Sequence, residues 1–175
     1  MSENNFTVER MIAMLEERDR ISPINEECDK FNIKGGDIVI DYGCGSGGYT
    51  KKISELIGES GKVYAVDIYD LAIESVRKKI SKYQLTNVET VLAKNITMIK
   101  DNVADKIIAI DMFHMVKETD IFLKELHRLV KKDGTLFISI HHMSSEDVQR
   151  KILDSKLWEI KGEIDYCLKC VPIIK

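Results

Sequence analysis

The stretch of this chain that decides its fold is Ile40-Asp41-Tyr42-Gly43-Cys44-Gly45-Ser46-Gly47-Gly48. It overlaps the end of an apolar run typical of a strand, Ile38 to Tyr42, and precedes a helical pattern of apolar residues at Tyr49, Ile53, Leu56 and Ile57. Glycine allows positive φ and close approach of a ligand, and the first turn of a helix offers free N–H groups to an anion. The stretch therefore predicts a ligand-binding turn between a strand and a helix.

Strand and helix patterns alternate after this turn. Amphipathic helical patterns separate short runs rich in β-branched residues, which predict strands at 63–68, 88–92, 107–110 and 136–140. The tail from Leu157 to Ile174 holds two strand-like runs with no helix between them, which indicates an antiparallel pair at one edge. We therefore predict an α/β fold with a seven-stranded, mostly parallel sheet, an antiparallel edge strand and helices on both faces.

Local residue chemistry predicts where several elements begin. Asp70 and Thr119 are expected to cap two helices, Ser144 to open a third, and Asp133-Gly134 to turn the chain into the strand at 136–140. Two helices precede the first strand. One is an amphipathic segment from Phe6 to Arg20, and the other begins at Ser22 with Pro23 in its first turn and buries Ile24, Cys28 and Phe31.

Size and composition predict a single domain over residues 1–175, in which 33–175 form the ligand-binding core and 1–32 form N-terminal helices able to act as a lid. The net charge of −3 lacks the basic excess of nucleic-acid-binding proteins. No apolar run approaches the roughly 20 residues of a membrane helix. We expect a cytosolic protein with no nucleic-acid or membrane partner, and the sequence leaves its oligomeric state open.

The four cysteines are too few and too scattered for a disulfide scaffold. Cys167 and Cys170 have the spacing of half a zinc site but fall in a predicted strand, where an odd separation directs them to opposite faces. We therefore predict no metal site.

Ligands of such sheets bind beyond the carboxyl ends of the strands. Gly43-x-Gly45-x-x-Gly48 satisfies the dinucleotide fingerprint, and Asp67 ends the second strand, where an acid would bind a ribose diol. A nicotinamide or flavin dinucleotide and S-adenosylmethionine both fit these features. Asp41 favours the second ligand, because its carboxylate would repel a pyrophosphate and attract the ammonium of a methionine moiety.

These residues resemble a known family. Asp41-x-Gly43-x-Gly45-x-Gly47 is similar to motif I of the class I S-adenosylmethionine-dependent methyltransferases, and further segments resemble that family at 61–67, 101–108 and 122–134. The likeness covers roughly residues 30 to 142 and is greatest for a small, uncapped branch distantly similar to quinone-biosynthesis methyltransferases. It implies a Rossmann-like class I methyltransferase fold.

The resemblance also implies the cofactor, S-adenosylmethionine, and the residues that hold it. Asp41 and the turn residues Gly43, Cys44, Gly45, Ser46 and Gly47 would bind its methionine part, with Tyr49 beginning the next helix. Asp67 would bind the ribose. The adenine would be bound by Ile68, Asn95 and Ile96, where Asn95 replaces the acid found in many family members.

Methyl transfer requires an aligned acceptor and a dry site, and needs a base only if the acceptor must lose a proton. Asp111, Met112, Phe113 and His114 follow the fourth strand, and His141 and His142 follow the fifth. His114 is the predicted base, and Asp111 would orient a histidine or bind an amine acceptor. At most one of the two adjacent histidines should face the site.

We therefore predict a methyltransferase acting on a small molecule, since no insertion forms a large substrate-binding cap. Met11, Met14 and Leu15 of the first helix are candidates to cover an apolar acceptor. Two alternatives stay open. One is a non-catalytic S-adenosylmethionine-binding partner module, and the other is an NAD-binding oxidoreductase.

Overall fold

Seven strands form one sheet in the computed structural model, which describes residues 3–21, 24–93 and 96–174. The strands are β1 (Ile38–Tyr42), β2 (Lys62–Asp67), β3 (Val88–Leu92), β4 (Ala104–Ala109), β5 (Val130–Ser139), β6 (Trp158–Ile164) and β7 (Cys167–Pro172). They lie in the order β3-β2-β1-β4-β5-β7-β6, and the contacts among β1 to β5 are parallel. The predicted fold class is confirmed.

The antiparallel pair lies at one edge, as predicted. The strand that runs against its neighbours is β7, which pairs with both β5 and β6, so β6 forms the outer edge. Cys167 and Cys170 of β7 belong to apolar clusters on opposite faces of the sheet, in agreement with their odd spacing.

The helices cover both faces of the sheet. They are α1 (Glu3–Ile21), α2 (Ile24–Lys30), α3 (Gly48–Ile57), α4 (Asp70–Tyr83), α5 (Thr119–Leu129) and α6 (Ser145–Asp154). Alternate strand residues supply the two cores: Val39 packs with Ile53 of α3, and Ile40 belongs to the cluster of Leu126 and Ile152. None of the helices in the described ranges has the length and apolar character needed to cross a membrane.

Two predicted caps are wrong. The N-cap of α4 is Tyr69 and that of α5 is Glu118, so Asp70 and Thr119 are the first residues inside their helices. At α4 the reason is local: the Asp67 carboxylate accepts a hydrogen bond from Tyr69 N at 3.0 Å and fixes the entry to the helix. Ser144 caps α6 as predicted, since its hydroxyl accepts from Asp147 N at 3.1 Å. Ser22 and Pro23 lie outside the described residues.

The predicted turn before the fifth strand is also wrong, because β5 begins at Val130 directly after α5 and includes Gly134. The register shifts here: Ala104 pairs with Val130, whereas Lys106 pairs with Thr135. The strand bulges between these pairs, and a Cβ at Gly134 would lie 2.8 Å from the carbonyl oxygen of Ala104. Glycine is therefore required at position 134 because β4 approaches its backbone closely, and not because the chain turns there. The structure also begins β4 at residue 104 instead of the predicted 107.

Candidate active site

The glycine turn follows β1 at the carboxyl edge of the sheet. Its glycines at 43, 45 and 47 have φ values of +82°, +51° and +88°, which L side chains rarely adopt. The backbone N–H groups of Gly43 and Cys44 donate to the carbonyl of Val66 at 2.8 and 3.0 Å. The Cys44 side chain is buried beside Ala65 and Val76, so this residue presents its backbone to the turn.

Asp67 joins the end of β2 to this turn. Its carboxylate accepts hydrogen bonds from Gly45 N at 2.9 Å and Tyr69 N at 3.0 Å, and the residue is 7% exposed. Burial raises the pKa of Asp67 above its ordinary value, although backbone N–H donors oppose the shift. The structure therefore brings the predicted ribose acid against the glycine turn.

Asp41 lies beneath the turn and is 3% exposed. Its carboxylate accepts a hydrogen bond from Thr50 Oγ1 at 2.5 Å. Burial raises the pKa of Asp41 to about 7, with the Thr50 hydrogen bond opposing the shift and the negative charges of Asp67 and Asp19 adding to it. A cation bound nearby would stabilise the ionised form of this carboxyl group.

Helix α1 lies on the glycine turn, which the sequence did not reveal. A Cβ at Gly45 would lie 2.8 Å from Leu15 Cδ1, and the Ser46 hydroxyl donates to the Asp19 carboxylate. Asp19 also packs against Gly48, in the first turn of α3. Met14 is 73% exposed, and its role in covering an acceptor stays a prediction.

An ion-pair network connects α1 to the ends of β4 and β5. Arg18 Nη1 donates to Asp111 Oδ2 at 2.7 Å, and His141 Nδ1 lies 2.6 Å from Asp111 Oδ1. The backbone N–H of Asp111, whose φ is +53°, donates to Ser139 Oγ at 2.8 Å. The sequence does not identify Arg18 as a site residue, because it is 93 residues from Asp111 and resembles any polar residue of a surface helix.

The sequence predicts His114 as the base, but the structure bonds a different histidine to Asp111. His114 lies in a short 3₁₀ turn (Phe113–Met115), and its ring centroid is 4.7 Å from that of His142. Burial, reinforced by the charge of His142, lowers the pKa of His114. His141, rather than His114, is the histidine bonded to Asp111, and its ring stacks on Tyr166 at 3.9 Å between centroids. The assignment of His114 as the base stays a prediction.

The aromatic ring of Tyr49 lies beneath the guanidinium group of Arg18. The Arg18 guanidinium carbon lies 5.9 Å from the centroid of the Tyr49 ring, and the Tyr49 hydroxyl donates to Glu27 of α2. Tyr49 and Glu27 are both buried, and burial together with this carboxylate raises the pKa of the Tyr49 hydroxyl. The Tyr49 hydroxyl is therefore held by α2, and its ring faces the Arg18 guanidinium.

Two exposed isoleucines mark the side predicted for adenine. Ile68 is 51% exposed and Ile96 is 67% exposed, which leaves apolar surface for a flat ring. The next residue, Thr97, is held by the buried Glu125, which accepts from Thr97 N and Thr97 Oγ1 at 2.9 Å each. Asn95, the predicted partner of the adenine amino group, lies outside the described residues.

The charges of the site fit S-adenosylmethionine better than a dinucleotide. Three carboxyl groups, those of Asp19, Asp41 and Asp67, surround the glycine turn within a partly buried region. A pyrophosphate bound there would be repelled, whereas the ammonium and sulfonium groups of S-adenosylmethionine would be attracted. The donor set therefore fits the cofactor that the sequence predicts.

Comparison with known proteins agrees with this chemistry. The chain is 31% identical over 111 residues to (S)-coclaurine N-methyltransferase of Thalictrum flavum subsp. glaucum, covering 63% of this chain and 30% of that protein. It is 27% identical over 128 residues to demethylmenaquinone methyltransferase of a Geobacillus strain, covering 72% of this chain and 54% of that protein. The chain thus spans a third to a half of these curated relatives.

A solved structure matches nearly from end to end. The crystal structure of a SAM-dependent methyltransferase from Aquifex aeolicus superposes with a TM-score of 0.83 at 27% identity, covering 93% of this chain and 97% of that chain. A coclaurine N-methyltransferase bound to N-methylheliamine and SAH (S-adenosylhomocysteine) superposes with a TM-score of 0.60 at 28% identity, covering 68% of this chain and 35% of that chain. Residues 33–168 match the methyltransferase-domain family, so this chain belongs to that family, among the class I S-adenosylmethionine-dependent methyltransferases, and its predicted cofactor is confirmed.

Proposed function

We propose that this chain transfers a methyl group from S-adenosylmethionine to a small-molecule acceptor. The observation that carries the proposal is the pair of buried carboxyl groups, Asp41 and Asp67, that flank a glycine turn with positive φ. The cofactor supplies a methyl group activated by a sulfonium. The chain's own part is to bind the cofactor, orient the acceptor and exclude water.

The cofactor-binding roles are distributed along the carboxyl edge of the sheet. Asp41, the turn residues and the ring of Tyr49 would contact the methionine part, and Asp67 would accept hydrogen bonds from the ribose hydroxyls. Since Asp67 now accepts from two backbone N–H groups, it is already oriented toward the turn. Ile68 and Ile96 would pack on the adenine, with Asn95 nearby in sequence.

A small acceptor is supported by the relatives. The similar proteins include an N-methyltransferase named for coclaurine and a methyltransferase named for demethylmenaquinone. Their names differ in both the acceptor and its chemistry, so they support a size class and leave open the atom that receives the methyl group. His114 and Asp111 remain the proposed catalytic residues, at the end of β4.

We also assign α1 the role of a lid. Leu15 and Asp19 contact the residues of the glycine turn that would hold the methionine part. A ligand bound there needs this helix to shift outward and would then be covered by it. This role uses residues within 1–32, the segment for which the sequence predicts a lid.

Calorimetric titration tests the proposal. We expect the purified chain to bind S-adenosylmethionine and SAH but not NAD, and Asp67→Asn to weaken binding about tenfold or more through loss of a charged hydrogen bond. Asp70→Asn, three residues away and exposed, is the matched control and should bind like the original chain. Binding of NAD without a response to S-adenosylmethionine would contradict the proposal and favour the oxidoreductase.

A further inference from the structure

The end of β4, where the proposed catalytic residues Asp111 and His114 mark the acceptor side of the site, already contains a cation. Arg18 of α1 places its Nη1 atom 2.7 Å from Asp111 Oδ2 at the end of β4, and its guanidinium carbon lies 5.9 Å from the centroid of the Tyr49 ring. A carboxylate beside an aromatic face is a favourable environment for a positively charged group. The occupant belongs to the helix that also covers the glycine turn, so it moves whenever that helix moves.

Arg18 does not satisfy its own hydrogen-bonding capacity in this position. Its Nη1 and Nη2 atoms bond to Asp111 and Asp19, but its Nε is buried with no hydrogen-bond partner among the described residues. A buried donor left unpaired costs free energy, so the guanidinium fits this environment imperfectly. Another cation should therefore displace this guanidinium more easily than a fully bonded one.

Asp111 contacts two partners, one through each of its carboxylate oxygens. Its Oδ1 lies 2.6 Å from His141 Nδ1 and its Oδ2 accepts from Arg18, while its backbone is fixed in the left-handed region by the bond to Ser139. Non-glycine residues in this region are costly and persist where the surrounding structure holds them. The geometry therefore keeps one carboxylate oxygen bonded to a histidine and directs the other toward a cation.

We propose that Arg18 occupies the subsite of the methyl acceptor, and that the acceptor is a small amine that binds in its protonated form. The inference rests on the proposed methyl transfer and names its acceptor class. When α1 shifts, the ammonium of the acceptor replaces the guanidinium on Asp111 Oδ2. Arg18 thus acts as an intramolecular competitor, and Asp111 is the residue that selects an amine over a neutral phenol or quinol.

The chemistry balances with the groups in place. The acceptor ammonium gives one proton to the Asp111–His141 pair through Asp111 Oδ2, which frees the nitrogen lone pair. The nitrogen then forms its bond to the methyl carbon as the carbon–sulfur bond breaks, and the bonding electrons leave on sulfur. The products are a methylated ammonium and SAH, and the pair returns its proton to solvent.

The experiment begins with the cofactor and then adds acceptor probes. Binding of S-adenosylmethionine is measured first, because its failure would overturn the proposed function itself. Piperidine and tetrahydroisoquinoline are then titrated into the SAH complex by calorimetry, with phenol and hydroquinone as uncharged probes of similar size. Methylated products are measured in parallel by mass spectrometry with S-adenosylmethionine.

The inference predicts opposite effects for two variants. Asp111→Asn, which tolerates the positive φ, should weaken amine binding about tenfold or more while leaving the affinity for S-adenosylmethionine within about twofold. Arg18→Gln should strengthen amine binding about three- to fivefold by removing the competitor, as expected for a partly exposed ion pair. Arg20→Gln on the same helix, whose guanidinium pairs with Glu17 in solvent, is the matched control and should change neither affinity.

Three results would overturn the inference while leaving methyl transfer intact. One is a cofactor complex that binds and methylates none of the amines. A second is methylation of the phenol or hydroquinone in preference to the amines. The third is an Asp111→Asn or Arg18→Gln variant that loses affinity for S-adenosylmethionine, which would place the cofactor's own ammonium or carboxylate on these residues.

Discussion

The carboxyl group of Asp41 is the most strongly perturbed acid beside the glycine turn. It is buried beneath that turn with one hydroxyl donor from Thr50, and its pKa is raised to about 7 from 3.8. Burial of a carboxylate without a cation is unfavourable, so the free protein holds this group partly protonated at neutral pH. A positive group bound nearby would favour its ionised form.

Asp41 makes the stability of the free protein dependent on pH. Because the folded-state pKa is raised, its stabilising contribution is complete below about pH 3.8 and is lost as the pH rises through about 7. We expect Asp41→Asn to remove this slope and to have the higher free energy of unfolding above about pH 7. Urea unfolding at a series of pH values measures both. An unchanged slope in the variant would contradict the buried, protonated carboxyl group.

The same group should couple cofactor binding to proton release. In the proposed binding mode the methionine ammonium would favour the ionised form of Asp41, so binding at about pH 7 is expected to release a fraction of one proton. Titrations of S-adenosylmethionine in buffers of different ionisation enthalpy report that number. The Asp41→Asn variant should release less, and equal release from both proteins would assign the proton to another group.

The glycine turn and α1 are coupled elements. Gly45 has a φ of +51° and faces Leu15, whereas Gly35 has nothing within 4 Å of its Cβ position. We expect Gly45→Ala to lower the free energy of unfolding by roughly 1–2 kcal/mol, the cost of a left-handed alanine, and to displace α1. Gly35→Ala should be close to neutral. Chemical denaturation measures both, and equal effects would show that the turn conformation is not what matters.

A second coupling holds the loop after β3 against α5. Glu125 is 3% exposed and bonds to Arg128 Nε and Nη2 at 2.8 Å each, while also accepting from Thr97. Although burial opposes ionisation, Arg128 and Thr97 lower the pKa of Glu125. The carboxylate is therefore ionised under ordinary conditions and fixes the segment that begins at Ile96.

Removing this charge should weaken the fold together with the segment proposed to bind the adenine. We expect Glu125→Gln to destabilise the protein by roughly 1–3 kcal/mol, because Arg128 loses a charged partner. Since the pKa of Glu125 is lowered, the stabilisation is present near neutral pH and disappears as the pH falls through the carboxyl range. Thermal unfolding at two pH values measures this. Glu146→Gln, on the exposed side of α6, is the control and should change stability by less than about 0.5 kcal/mol.

On the scale of the whole molecule, we expect ligand binding to change the position of α1 and to leave the sheet unchanged. SAH should stabilise the folded state by about 2.7 kcal/mol at a concentration of 100 times its Kd. Hydrogen exchange should then slow in α1 and in the glycine turn by more than in β5, which two cores already hold. Slowing confined to the turn, with no change in α1, would contradict the lid.

Local patterns were sufficient for most of the architecture. The apolar runs of the strands, the glycines of the turn and the acids at 41 and 67 lie where periodicity and strand-end rules placed them, because each depends on neighbouring residues. The predicted start of β5 was wrong for a tertiary reason. Gly134 was expected to turn the chain, but glycine is required there because β4 passes close to its Cα.

The proposed cofactor side of the site could be predicted from the sequence itself, since its turn and its two acids come from adjacent strands and their following loops. The proposed acceptor side depends on long-range packing. Arg18, Asp111 and His141 come from three distant segments, and no local pattern distinguishes an arginine that pairs with solvent from one that pairs with Asp111. The two acids at the turn are specified by short-range backbone geometry, whereas the partner of Asp111 depends on where α1 docks, and that is set by burial of Val8 and Ile12 against Ala72.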